Sequence, residues 1–130
     1  MQILNPAAVA KPGAGYAQGV AAGGAIYVAG QVAIDAAGAI VGRGDLVAQT
    51  RQTLANVANV LAAGGMSLGD VVSTTVYLSD LTRYRAFCET WCEVFGEHTP
   101  ARATVKADLV HPDLLVEIQA IAVRNAAASA

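Results

Sequence analysis

Two helix patterns are interleaved with runs of β-type residues, and this order restricts the folds that are open to the chain. A helix predicted over residues 45–63 has one apolar stripe at helical spacing, formed by Thr50, Leu54, Val57 and Leu61. A second helix is predicted from Ser79 and Asp80 to Phe95, with a stripe formed by Tyr84, Phe87, Trp91 and Val94. Because two helices can cover only one face of a sheet, the pattern predicts an α+β fold with both helices on one face of a mixed sheet.

The β-type runs define the strands of that sheet. Residues 16–22 and 25–31 flank Gly23-Gly24, a two-glycine hairpin signal, and an additional N-terminal strand is compatible with the pattern. Residues 71–78 alternate as a strand does, with Val72, Thr74, Val76 and Leu78 on one face and Val71, Ser73, Thr75 and Tyr77 on the other. After Pro100, strands 101–108 and 114–123 are predicted to form a second hairpin.

The second predicted hairpin brings together the only polar pair that suggests chemistry. Folding it about residues 110–112 sets Arg102 beside Gln119 and diagonal to Glu117, within reach of long side chains. One interpretation is a salt bridge on an exposed sheet face. The other is a site in which the planar fork of Arg102 binds a carboxylate and Glu117 relays a proton or holds a water.

Composition excludes several other classes of protein. Of 130 residues, 55% are hydrophobic and 14% charged, which is too apolar for a disordered chain. The net charge of −2 and the scattered basic residues argue against a nucleic-acid partner. No signal peptide or membrane-helix pattern is present, so the expectation is a cytoplasmic protein that does not contact a membrane. Cys88 and Cys92 are expected to be buried free thiols, and no metal-ligand spacing or cofactor motif occurs.

Domain organisation is expected to be simple. Residues 1–124 are predicted to form a single domain, and residues 125–130, of sequence NAAASA, a frayed C-terminal tail. The few charged residues and the uncovered sheet face, assigned Val71, Tyr77, Leu115 and Ile121 beside Arg102 and Glu117, predict an oligomer.

Six blocks of the sequence, in order, resemble the Rid (YjgF-like) family of reactive-intermediate deaminases. They are GYAQGV (15–20), IYVAGQVAID (26–35), QTRQTLANVANVLAAGG (49–65), DVVSTTVYLSD (70–80), PARATV (100–105) and LVEIQAIA (115–122). The resemblance implies a chorismate-mutase-like fold, a homotrimer with clefts between subunits, and cofactor-independent hydrolysis of 2-imino or 2-enamino acids to 2-keto acids and ammonia.

The same resemblance implies roles for particular residues. The family's carboxylate-binding arginine falls on Arg102 and its water-positioning glutamate on Glu117, and further substrate-binding positions fall on Tyr16, Gly30, Gln31, Thr104 and Cys88. Thr104 stands where the best-known deaminases often carry cysteine, and Cys88 where many carry asparagine. The sequence therefore leaves the preferred imine open.

Three functions compete at this point. The first is an imine or enamine hydrolase similar to 2-iminobutanoate/2-iminopropanoate deaminases. The second is a non-catalytic module that binds or senses a small carboxylate in the same cleft. The third is an RNA-active translation inhibitor, an activity also ascribed to the family, which the acidic balance of the chain disfavours.

Overall fold

A computed structural model describes residues 1–124 and shows one mixed sheet with two α-helices. The predicted tail, residues 125–130, lies outside the described residues. The strands are β1 (Gln2–Leu4), β2 (Gly19–Ala22), β3 (Ala25–Val32), β4 (Val71–Leu78), β5 (Ala101–Lys106) and β6 (Val116–Val123). The helices are α1 (Leu46–Ala63) and α2 (Tyr84–Phe95). One 3-10 turn, Leu68–Asp70, comes directly before β4, and another, Leu81–Arg83, comes directly before α2.

Local sequence signals fix the ends of these elements. The Asp45 carboxylate accepts a hydrogen bond from the backbone N–H of Ala48 and so caps α1. Gly96, with φ of 64°, follows the last turn of α2. Gly23 and Gly24 both have positive φ and connect β2 to β3 as an antiparallel hairpin, as predicted.

Both helices pack on one face of the sheet, which confirms the predicted layer arrangement. The stripe predicted for α1 is fully buried, and it shares one core with Phe87 and Trp91 of α2. The matching sheet positions are buried alternate residues of β3, β4 and β6, namely Ile26, Val28, Val76, Leu78, Val116, Ile118, Ala120 and Ala122. The opposite face of the sheet has no helix over it in the described part of the chain.

The strand order β1-β2-β3-β6-β4-β5 shows that the second predicted hairpin is wrong. Strand β6 lies between β3 and β4 and is antiparallel to both, whereas β5 pairs in parallel with β4 at the sheet edge. The reason lies in the side chains. Alternate residues of β6 are apolar and fully buried, which suits a central strand, while β5 carries Arg102 and Lys106, which suit an edge. Helix α2 supplies the crossover that makes β4 and β5 parallel.

Three smaller predictions also change. A register irregularity between Val71 and Ser73 buries Val71 in the core and exposes Val72, so the predicted faces of β4 hold only from Thr74 onward. Tyr84 is 43% exposed rather than buried. Cys92 is exposed and Cys88 only half-buried, although both thiols are free as expected.

Candidate functional site

Arg102 lies on the helix-covered face at the sheet edge, where its guanidinium packs against aromatic side chains of α2. The carbon Cζ lies 5.0 Å from the ring centre of Trp91, 5.4 Å from that of Phe87 and 5.8 Å from that of Tyr84. These distances are within the range of cation–π attraction. The stripe that the sequence assigned to the core therefore also holds a charged side chain.

Two hydrogen bonds further fix the Arg102 side chain. Its Nη2 donates to the Tyr84 hydroxyl at 3.1 Å and to Cys88 Sγ at 3.4 Å. No carboxylate within residues 1–124 forms a salt bridge with it. By contrast, Arg43 is paired with Asp113 and Arg51 with Glu93. Arg102 is thus a positive charge with fixed orientation and without a carboxylate partner among residues 1–124.

A cavity of about 420 Å³ opens beside this arginine, lined by Leu81, Tyr84, Arg102 and Thr104. Thr104 is opposite Val76 in the sheet register, and its Oγ1 is buried without a hydrogen-bond partner in the described part of the protein. A buried hydroxyl without a hydrogen-bond partner costs free energy in the folded chain. Arg102, Cys88 and Thr104, which the family resemblance assigned to substrate binding, lie close together in the chain, with Tyr84 in addition.

Glu117 lies on the other face of the sheet. It is opposite Val32 on one side and Tyr77 on the other, between the buried core residues Val116 and Ile118 of its own strand. The side chain is half-buried, and this burial raises the pKa of the Glu117 carboxyl above its ordinary value of 4.5. A carboxyl with a raised pKa can exchange a proton closer to neutral pH.

Gly30 gives Glu117 the space that its side chain occupies. A Cβ added at Gly30 would lie 2.4 Å from Glu117 Oε2 and 2.9 Å from its carboxyl carbon. Gly30 has no positive φ, so the requirement is one of space rather than of backbone conformation. The Glu117 carboxylate can therefore keep its present orientation only if residue 30 has no side chain.

The remaining two predicted site residues lie elsewhere. Tyr16 is exposed in the segment before β2, where it lines a separate cavity with residues of the N-terminus. Gln31 is buried, and its Nε2 donates to Gln18 Oε1 at 2.8 Å and to the Ala29 carbonyl at 3.1 Å. Gln18 in turn bonds the carbonyl of Ala10. Gln31 thus ties β3 to the N-terminal segment rather than presenting its amide to a cavity.

Within one chain, the predicted convergence of Arg102 and Glu117 does not occur. Arg102 is opposite Thr74 on β4, while Glu117 is opposite Tyr77 on the other edge of the same strand. With strands about 4.8 Å apart and about 3.3 Å per residue, their Cα atoms lie roughly 14 Å apart. Their side chains also extend from opposite faces. The two residues belong to separate groups, which we call the Arg102 half-site (Arg102, Thr104, Cys88 and Tyr84) and the Glu117 half-site (Glu117 and Gly30).

The open face of the sheet, which carries Glu117, also has exposed apolar residues. Residues in register across four strands form a row on this face, consisting of Ile3, Val20, Tyr27 and Ile121. Ile3 is 58% and Tyr27 50% exposed, and Val105 on β5 is exposed on the same face beside Tyr77. Exposed apolar surface of this kind marks an interaction face.

Comparison with known proteins shows which family has this architecture. The model of the family described as Endoribonuclease L-PSP matches residues 7–124. The chain belongs to this family. A RutC family protein of Pyrococcus horikoshii is 41% identical over 115 residues, covering 88% of this chain and 91% of that protein. The resemblance to YjgF-like and Rid proteins is thereby confirmed at the level of the family.

Solved structures of this L-PSP/YjgF family have the same fold. The YjgF gene product of E. coli is 33% identical, with a TM-score of 0.88, and the match covers 96% of this chain and 100% of that one. E. coli TdcF with bound serine is 31% identical, with the same TM-score and coverage. The α+β fold expected from the sequence is therefore shown.

Two features of the described residues bear on other classes of site. Within residues 1–124, no three His, Cys, Asp or Glu side chains are grouped closely enough to hold a metal ion. In the same part of the chain, no helix is long and apolar enough to cross a membrane.

Sequence reasoning missed Tyr84. It was assigned to the core because it begins the aromatic stripe of α2. The available signal was its spacing from Cys88, because residues four apart lie on the same side of a helix. A tyrosine at that position, one turn before a predicted site residue, could have been assigned to the same group.

Proposed function

We propose that this protein hydrolyses 2-imino or 2-enamino acids to 2-keto acids and ammonia, without a cofactor. The observation that carries the proposal is Arg102, a guanidinium held in place by three aromatic rings and facing a cavity without a carboxylate partner in residues 1–124. The planar fork of arginine matches a carboxylate, which every substrate of this class bears. The bound serine of the E. coli relative TdcF, an amino acid with a carboxylate, is consistent with this class.

Glu117 supplies the proton chemistry in this proposal. Water attacks the carbon of the protonated imine, a C–O bond forms, and the C=N electron pair moves to nitrogen while Glu117 takes a proton from the water. Protonated Glu117 then gives that proton to the amine nitrogen. The C–N bond breaks and ammonia leaves as the hydroxyl gives its proton to Glu117 and the keto group forms. Glu117 then passes this proton to the released ammonia, which departs as ammonium. The raised pKa of the Glu117 carboxyl favours these transfers.

The two half-sites can act on one substrate only if two chains meet. We propose a homotrimer in which the Arg102 half-site of one chain faces the Glu117 half-site of its neighbour. The apolar row supports this assembly, because it lies on the same face of the sheet as Glu117 and is an exposed apolar surface that favours burial. Subunits related by rotation can place two different surfaces against each other around a closed ring. Sedimentation equilibrium is expected to give three times 13.2 kDa.

Imine hydrolysis is tested by generating the imine in the assay. An amino acid oxidase acting on 2-aminobutanoate releases 2-iminobutanoate, and the appearance of the 2-keto acid is followed with and without the protein. We expect acceleration by the wild-type chain and almost none by Arg102→Lys. An uncatalysed rate in the presence of folded, assembled wild-type protein would contradict the proposal.

The alternatives give different outcomes in parallel assays. A binding module would bind the 2-keto acid, measured by calorimetry, without accelerating imine hydrolysis. An RNA-cleaving protein would degrade RNA in a salt-dependent manner. The ion pairs of Arg43, Arg51 and Arg83 with carboxylates leave less free positive charge for RNA, so we expect no cleavage.

A further inference from the structure

The Tyr84 hydroxyl has a hydrogen that the protein leaves available. The phenol oxygen accepts a hydrogen bond from Arg102 Nη2, and arginine can only donate. The hydrogen of Tyr84 must therefore point away from the guanidinium. No hydrogen bond donated by this hydroxyl joins it to another residue of the described chain.

The position of Tyr84 directs this donor to the cavity. The residue is 43% exposed and lines the same cavity of about 420 Å³ as Arg102 and Thr104. Thr104 lines the same cavity, although its Oγ1 is itself buried. The cavity thus offers a cation from Arg102 and a neutral donor from Tyr84, and a carboxylate has lone pairs for several donors.

We propose that Tyr84 is a substrate-binding residue that donates its hydroxyl hydrogen to the substrate carboxylate beside the Arg102 fork. This inference rests on the part of the proposed function that assigns carboxylate binding to Arg102. The contact with Arg102 aids the donation, because a neighbouring cation polarises the phenol O–H. The Tyr84 hydroxyl would then accept a hydrogen bond from Arg102 and donate one to the substrate carboxylate, so it would contact both members of the ion pair.

The first experiment measures binding separately from catalysis. Calorimetry with the full assembled protein uses 2-oxobutanoate as the charged probe and its methyl ester as the neutral one. We expect Tyr84→Phe to weaken binding of the acid by roughly tenfold, since hydrogen bonds to charged groups are the stronger ones. The ester should bind weakly to both proteins, with a change of less than about twofold on substitution.

The control is Ser67→Ala, which removes the hydroxyl of an exposed residue in the segment before β4, outside both half-sites and the apolar row. It is expected to bind the acid as the wild type does. Thermal melting and sedimentation check that both variants keep their fold and assembly. In turnover, Tyr84→Phe should raise KM far more than it lowers kcat, because the contact is present in both ground and transition states.

The outcomes separate this inference from the proposed function. Unchanged acid binding in Tyr84→Phe, with imine hydrolysis intact, would overturn the inference alone. Tyr84-dependent acid binding without any imine hydrolysis would support the inference and overturn the proposed reaction. Failure of the wild-type protein to bind the acid would overturn the inference together with the role of Arg102.

Discussion

The two half-sites differ in how the fold treats a charge. Around Arg102, three aromatic rings and two hydrogen bonds stabilise the ionised side chain at the edge of the sheet. Around Glu117, in the middle of the sheet, burial disfavours the ionised side chain and raises its pKa. The first arrangement suits permanent binding of an anion, and the second suits a proton that comes and goes. The proposed reaction requires both groups.

The largest expected effect follows from removing the fork of the Arg102 half-site. Arg102→Lys keeps the charge but loses the planar, bidentate geometry and the stacking on Trp91. We expect kcat/KM for imine hydrolysis to fall by about 100-fold or more, with the fold intact. Lys106→Arg, an exchange of the same type on the same strand, should leave kinetics unchanged. Equal kcat/KM in Arg102→Lys and the wild type would contradict the proposal that Arg102 binds the substrate carboxylate.

Glu117→Gln separates the two half-sites by function. The amide keeps its shape and can hydrogen-bond a water, but it cannot take a proton. We expect kcat to fall by about 100-fold, while binding of 2-oxobutanoate changes little. Calorimetry and turnover on the same preparation check this. A parallel loss of binding and turnover would show that Glu117 has only a structural role.

Gly30→Ala tests the position of the Glu117 carboxylate while leaving the Glu117 side chain itself unchanged. The new Cβ would lie 2.4 Å from Glu117 Oε2, so the carboxylate must move. We expect kcat to fall about tenfold, as misplaced catalytic groups lose positioning, with acid binding retained. Gly69→Ala is the matched control, because its nearest neighbour is Ser67 Oγ at 3.6 Å. A Gly30→Ala variant as active as Gly69→Ala would contradict the link between Gly30 and Glu117.

The smallest expected effect concerns stability and pH. Because the pKa of Glu117 is raised by folding, its neutral form favours the folded state, and this contribution is lost as pH rises above 4.5 through the folded pKa. Glu117→Gln should therefore melt slightly higher than the wild type at pH 7, and the difference should vanish below pH 4.5. Glu97→Gln, at an exposed position, should show no such trend. A destabilised Glu117→Gln at pH 7 would indicate that the carboxylate has a stabilising partner.

Much of the fold could be predicted because periodicity reports local structure. The stripe of Leu54, Val57 and Leu61 was sufficient to place α1 within residues 45–63. Strand order was not predictable in this way. Neighbours in sequence were assumed to pair, but the polar alternation of β5 and the apolar faces of β6 place these strands on opposite sides of β4.

The site shows the same division between local and long-range information. Arg102 and Glu117 could be identified as candidate site residues, because polar side chains within apolar strands are visible in the sequence. Their separation and their opposite faces depend on the strand order and on the registers with β4. The close approach of Gly30 to Glu117 and the contact of Tyr84 with Arg102 are likewise tertiary contacts between distant segments.

Subunit mixing tests most directly whether one reaction uses both half-sites from different chains. Arg102→Lys and Glu117→Gln proteins, each nearly inactive alone, are mixed in equal amounts under conditions that allow subunits to exchange. In a ring trimer that combines the chains at random, about one quarter of the sites join an intact Arg102 to an intact Glu117. Activity is therefore expected to recover to about a quarter of the wild-type value. A fully exchanged mixture no more active than its two components would show that no site is shared between chains.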